Sequence, residues 1–125
     1  IYSFPQVHQM ISSVSGILEE GNTGISALKA AFPMGSMTGA PKVRSMQLIE
    51  EHENSGRGIY SGAIGYVLPN GDFDFNVVIR TLLYNEKDSY LSYQAGGAIT
   101  YDSKAEEEWD EIMVKASGIF EVLKK

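Results

Sequence analysis

Three groups of residues have types and spacings that could do chemistry. The first is the run Gly35-Ser36-Met37-Thr38-Gly39-Ala40-Pro41-Lys42. A polar, glycine-rich segment feeding a helix near Pro41 presents unpaired backbone N–H groups, and Thr38 and Lys42 add a hydroxyl and an ammonium. Such a run could receive an anion. It is not a P-loop, because the spacing departs from G-x-x-x-x-G-K-[ST] and it follows a helix rather than a strand. The second group is Glu108, Glu111 and Lys115, at i, i+3 and i+7 on one helix face. Two carboxylates so placed can approach one hard cation or its water shell. The same spacing also describes a solvated face with a Glu111–Lys115 pair worth about 0.3–0.5 kcal/mol. The third group is Arg80 with Gly96 and Gly97, and Tyr60 lies twenty residues before Arg80 on the neighbouring strand. A guanidinium can clamp a carboxylate with two hydrogen bonds, and glycines let backbone N–H groups approach one closely. The plainer readings are an edge-strand arginine in water, a core tyrosine and a strand-end turn. Thr38 is equally a helix cap.

These groups need elements to position them. Ile11, Val14, Ile17 and Leu18 recur at helical spacing and predict a helix ending before Gly21. Ile25, Leu28, Ala31 and Phe32 predict a short second helix, capped by Thr23 and stopped by Pro33. Val43, Met46 and Ile49, with Leu48 alongside, predict a third from about Pro41 to Glu53. The period then changes. Tyr60–Leu68, Phe73–Leu83 and Ser89–Gln94 read as strands, joined by turns at Pro69-Asn70-Gly71-Asp72 and at 85–88. This is a three-stranded antiparallel meander at the edge of a larger sheet. Ser103 with Glu106 makes a capping box that opens a last helix. There Ala105, Trp109, Ile112, Met113, Ala116, Phe120 and Leu123 share an apolar face. The Glu108–Glu111–Lys115 stripe lies roughly 110° from the centre of that face, beside the core. The fold class is α+β, an antiparallel β-meander flanked by helices.

Composition narrows the function. A chain of 125 residues, 43% hydrophobic with seven tyrosines and five phenylalanines, has enough apolar content for one modest core. A net charge of −6 argues against nucleic-acid binding, which needs a basic face. With no cysteines there are neither disulfides nor thiolate metal sites, in keeping with a reducing, cytoplasmic compartment. No apolar run approaches a membrane span and no signal peptide is visible. The chain opens on Ile1 rather than Met, so a longer parent is expected.

Several motifs together resemble the chorismate-utilising enzymes. They are Val7-His8-Gln9-Met10-Ile11-Ser12, the Phe32–Lys42 run, Arg57-Gly58-Ile59-Tyr60-Ser61-Gly62-Ala63-Ile64-Gly65-Tyr66, Ile79-Arg80-Thr81, Ala95-Gly96-Gly97-Ala98, and the helix from Asp102-Ser103 to Lys115. They fall in the family's order across nearly the whole chain. The family includes anthranilate synthase component I, aminodeoxychorismate (para-aminobenzoate) synthase component I, and the isochorismate and salicylate synthases. Thr38-Gly39-Ala40-Pro41-Lys42 is similar to the amine-transferring branch. Ser36-Met37-Thr38 with Ile79-Arg80-Thr81 leans towards the para-aminobenzoate side of it.

The resemblance carries its own expectations. It implies that the meander and helices belong to the larger chorismate-binding, anthranilate synthase component I-like α/β sandwich. Family catalytic domains are about twice this long, with the matching motifs in their C-terminal half, so residues 1–125 are expected to be the C-terminal portion of such a domain. The upstream half would supply a Pro-Ile-x-Gly-Thr segment, another magnesium-binding glutamate and a nucleophilic lysine. The implied reaction is amination of chorismate by ammonia to 4-amino-4-deoxychorismate, with Mg2+ as cofactor and a glutamine amidotransferase subunit (component II), or solution, as the ammonia source. Residue by residue, the resemblance puts His8 near the leaving ring hydroxyl and Thr38 near the reacting ring. It puts Tyr60, Arg80, Gly96, Gly97, Ala98 and Lys115 on substrate, and Glu111 on magnesium with Glu108 beside it. Ala98 stands where the family commonly has another glycine. The rival reaction is anthranilate formation, and a third reading is a non-catalytic binding or assembly module. The isolated chain is expected to be inactive.

Overall fold

The computed structural model describes residues 1–4 and 8–124. Val7, first residue of the Val7–Ser12 motif, lies outside the described residues. The chain divides into two compact units, residues 1–30 and 31–125.

In the first unit, β1 (Tyr2–Ser3) pairs antiparallel with β2 (His8–Gln9), Tyr2 opposite Gln9 and Ser3 opposite His8. The predicted helix through Ile11–Leu18 does not form, and residues 10–19 carry no regular structure. Its apolar stripe is not buried, and Val14 and Ile17 are fully exposed. A short segment holding Gly16, three serines and β-branched residues cannot sustain a helix without packing. Helix α1 (Gly24–Ala31) follows as predicted, and its last residue opens the second unit. Thr23 caps it reciprocally. The Thr23 hydroxyl accepts from the Ser26 N–H (3.2 Å) and the Ser26 hydroxyl accepts from the Thr23 N–H (2.8 Å), so Ser26 takes the place usual for Glu or Gln.

In the second unit the Gly35–Lys42 run is not a plain loop. It folds into a single helical turn, α2 (Gly35–Thr38), ended by Gly39 at φ +120°, and α3 (Lys42–His52) then starts with Pro41 at its N-cap. The meander is not one sheet. β3 (Ala63–Val67) pairs with β4 (Phe73–Val77), and β5 (Leu82–Asn85) pairs with β6 (Tyr90–Tyr93), as two separate hairpins. The predicted Phe73–Leu83 strand breaks at residues 78–81, where the Ile79 N–H bonds back to the Val77 carbonyl (3.0 Å) and Arg80 takes φ +50°. Arg80 therefore stands at a corner between hairpins, not within a strand. Both turns form where their chemistry requires. Gly71 adopts φ +90°, the Asn70 side chain accepts from the Asp72 N–H (3.1 Å), and the Asn85 side chain accepts from the Lys87 N–H (3.1 Å).

Helix α4 (Ala105–Leu123) has its N-cap at Lys104, with no side-chain cap bond. The Ser103–Glu106 capping box is absent because the Ser103 hydroxyl donates to the Glu108 carboxylate at 2.5 Å. A charge-assisted bond of that kind outweighs one to a neutral amide. The side of α4 that is sheltered carries Glu108, Ile112, Lys115, Ala116 and Ile119. Trp109 stays 61% exposed. The carboxylate–lysine stripe is thus partly on the sheltered side, not simply beside it. Among the described residues, only Val78, Ala116 and Ser61 are buried. The Val78 N–H bonds to the Gly62 carbonyl and the Ser61 N–H to the Val78 carbonyl (both 2.9 Å), which extends the β3–β4 pairing up to the corner that presents Arg80.

Candidate active site

The second unit contains a cavity of about 900 Å³. Tyr60, Arg80, Gly96, Gly97, Ala98 and Lys115 all line it. Tyr60 reaches the wall from the turn before β3, Arg80 from the corner after β4, the glycines from the segment after β6, and Lys115 from the middle of α4. Two bonds hold the end of β6 and that segment against α4. The Tyr93 hydroxyl donates to the Lys115 carbonyl (3.3 Å), and the Lys115 ammonium donates to the Gly96 carbonyl (3.2 Å).

The glycines matter for what a side chain there would meet. A Cβ on Gly96 would lie 3.0 Å from the Tyr60 hydroxyl. A Cβ on Gly97 would lie 3.1 Å from Glu108 Oε2, and 3.9 Å from both Glu111 Oε1 and Lys115 Nζ. The two carboxylates and the ammonium therefore converge on one point that glycine leaves open. The Glu111–Lys115 ion pair is made, so the plain reading of that spacing holds as well as the convergence. Glu108 and Glu111 are hard oxygen donors of the kind magnesium takes, and water and substrate oxygens commonly complete such a shell. They fit part of a magnesium site. Among the described residues no group of three or more acidic or histidine side chains could hold a metal ion.

The electrostatics of the wall oppose those of the whole chain. Arg57, Arg80 and Lys115 line the cavity, against Glu53 as the acid in its wall. Lys115 is paired with Glu111 and Arg57 with Glu53. Arg80 has no ion-pair partner among the described residues. The hydrogen bond from Arg57 holds the Glu53 carboxyl below its ordinary range, against the opposing effect of partial burial. The bond to Glu53 in turn raises the Arg57 guanidinium.

Other sequence candidates lie elsewhere. Thr38 faces a smaller cavity of about 230 Å³ whose wall also includes Arg57 and Tyr60, and its hydroxyl donates to the Met34 carbonyl (3.1 Å). Lys42 lines neither cavity, because its ammonium donates to the Ala31 carbonyl at the end of α1 (3.0 Å). The Gly35–Lys42 run therefore does not assemble the expected anion site: its hydroxyl and its ammonium both serve backbone carbonyls. His8 belongs to the first unit, where its Nδ1 is 2.9 Å from the Ser3 hydroxyl. Arg57, Trp109 and His52, none of them a site candidate by sequence, also line the larger cavity. For Arg57 no local signal existed, because α3 ends at His52 and the spacing from Glu53 lies outside a helix. Gln94, also in the wall, has a buried side-chain oxygen with no partner among the described residues.

Residues 1–121 match the family model for chorismate binding enzyme, and the chain belongs to that family. It is 43% identical over 123 residues to anthranilate synthase component 1 of Aquifex aeolicus, covering 98% of this chain and 24% of that protein. It is 44% identical over 115 residues to a chloroplastic aminodeoxychorismate synthase of Arabidopsis thaliana (92% of this chain, 12% of that protein). It is 42% identical over 123 residues to aminodeoxychorismate synthase of Streptomyces griseus (98% and 17%). The chain thus spans a quarter or less of the length of these relatives. No helix among the described residues is long and apolar enough to cross a membrane.

Proposed function

We propose that this chain is the C-terminal portion of the chorismate-binding catalytic domain of an enzyme that aminates chorismate to 4-amino-4-deoxychorismate. The observation that carries the reading is the cavity in which an arginine with no ion-pair partner among the described residues, a phenol, two glycines and a lysine face one space. Chorismate is a dicarboxylate with a ring hydroxyl that must leave. Arg80 would clamp one carboxylate through its planar fork. The Tyr60 hydroxyl and the backbone N–H groups of Gly96, Gly97 and Ala98 would orient the substrate, and Lys115 would oppose its charge. Glu108 and Glu111 are the residues that would hold magnesium, which when bound supplies divalent charge to offset substrate carboxylate. Thr38 would act near the reacting ring, and a role for His8 on the departing oxygen rests on the motif resemblance alone. Ammonia would come from a glutamine amidotransferase subunit or from solution.

Anthranilate formation is the second reading, favoured by a match to the Aquifex anthranilate synthase as high as those to the aminodeoxychorismate synthases. The lean of Ser36-Met37-Thr38 and Ile79-Arg80-Thr81 towards the para-aminobenzoate branch supports the first. A segment swap tests both. This chain replaces the matching segment of the Streptomyces aminodeoxychorismate synthase and, separately, of the Aquifex anthranilate synthase. Turnover in the first host alone is the expected result. Turnover in the second alone overturns the finer reading. Folded hosts that consume no chorismate would return the chain to a binding or assembly role.

A further inference from the structure

We propose that Arg57 is a positioning residue whose guanidinium, oriented by Glu53, fixes the Met37–Thr38 turn and Tyr60 in the wall between the two cavities. Its consequence for turnover rests on the chorismate reading above, but the positioning itself does not. Arg57 Nε and Nη2 donate to the two oxygens of Glu53 at 2.8 and 2.5 Å. Two parallel bonds fix the plane of a guanidinium as well as its place. That leaves Nη1 pointing in a set direction, where it donates to the Met37 carbonyl (2.7 Å) and the Ser61 hydroxyl (3.2 Å).

Each of these acceptors adjoins a site candidate. Met37 precedes Thr38. Ser61 follows Tyr60, whose ring centroid lies 6.0 Å from Arg57 Cζ and whose N–H donates to the Arg57 carbonyl (3.0 Å). Ser61 is buried at φ +70° and bonds through its N–H to Val78, two residues before Arg80. One side chain therefore ties α2 and the entry to β3 to the C-terminus of α3, and the Ser61 backbone carries the link on to Val78, just past β4. Among the described residues no other hydrogen bond joins α2 to residues 57–61, and a lysine at 57 could keep the charge but not the fork.

The test uses Arg57→Lys and Glu53→Gln in the 125-residue chain, read by amide hydrogen exchange, and in the swapped host, read by kinetics. In the chain, Gly39, whose N–H bonds to the Gly35 carbonyl, and Ser61 should exchange at least about tenfold faster in Arg57→Lys, while the β5–β6 amides keep their protection and report an intact fold. Glu53→Gln, which leaves one acceptor oxygen, should fall between wild type and Arg57→Lys. In the host, Arg57→Lys should lower kcat about 10- to 100-fold with KM changed less than about threefold, as expected when reacting groups are misplaced but substrate contacts remain. Unchanged exchange at Gly39 and Ser61 overturns the positioning role, and so does a KM rise with kcat unaltered. Faster exchange in the chain, with a host inactive even when Arg57 is present, supports the positioning role and removes only the chorismate reading.

Discussion

Replacing Arg80 with glycine separates the strain of its backbone from the work of its charge. Arg80 sits at φ +50°, a conformation that costs an L-residue roughly 1–2 kcal/mol. Glycine has no such cost but loses roughly 0.5–1 kcal/mol through the freer unfolded chain. Arg80→Gly should therefore leave stability unchanged or raise it by up to about 1.5 kcal/mol. Arg80→Ala, which keeps the Cβ, gains nothing. Both variants lose the charge-assisted bonds proposed to hold a substrate carboxylate, worth about 1.5–3 kcal/mol. At 1.4 kcal/mol per tenfold, chorismate affinity should fall roughly 10- to 150-fold in each. Thermal denaturation and calorimetric titration of the swapped host measure the two effects on the same samples. The reasoning is refuted if glycine destabilises as much as alanine, or if either variant binds chorismate as tightly as wild type.

Other expectations are equally specific. In Glu111→Ala, stability should change by less than about 1 kcal/mol, because the Lys115 pair is half exposed. Chorismate binding in that variant should no longer respond to magnesium, as calorimetry with and without the ion will show. Gly97→Ala should reproduce part of that loss, since its Cβ would press on Glu108 Oε2 at 3.1 Å; titration with magnesium checks it. Gly65→Ala places a Cβ 2.0 Å from the Asp74 carbonyl oxygen and 2.7 Å from the Phe75 Cα, both backbone atoms that can move only by parting the hairpin. A loss of about 3 kcal/mol in urea denaturation is expected, and a change under about 0.5 kcal/mol would contradict the β3–β4 register. The Glu53 carboxyl titrates below its ordinary 4.5 when folded, so its contribution is complete above that pH and is lost as pH falls through the lower, folded value. Melts from pH 6 to 3 should show this loss in wild type and not in Glu53→Gln.

The parts legible in the sequence were those fixed by local chemistry. Asn70-Gly71 and Asn85 specified their turns through side-chain bonds two residues on, and Thr23 specified the start of α1. The apolar spacing of Val43, Met46 and Ile49 placed α3 to within a residue. Where a competing partner lay outside the local window, the reading failed. Ser103 is taken by Glu108 rather than by a cap, and Lys42 is drawn to Ala31, eleven residues back. The stripe over Ile11–Leu18 has the right period but stays exposed. The bend at residues 78–81 was hidden because Val77-Val78-Ile79 looks like uninterrupted strand, and only the positive φ at Arg80 reveals the corner. The candidate site followed the same rule. Its members were named by motif resemblance, whereas Arg57, whose partners lie 4 and 20 residues away, emerges only from the fold.

The division into two hairpins also bears on the order in which the second unit assembles. Each ladder closes a short stretch of chain, Val67 meeting Phe73 and Asn85 meeting Tyr90, so each can form on the microsecond scale without the other. The cavity instead draws on residues from Ser36 to Lys115. Its contacts are the long-range ones, whose loop entropy must be overcome after the ladders exist. Substitutions in the cavity wall should then speed unfolding and barely slow refolding, whereas Gly65→Ala, within a ladder, should slow refolding itself. The region proposed for chemistry is in this sense the last to be made and the first to come apart.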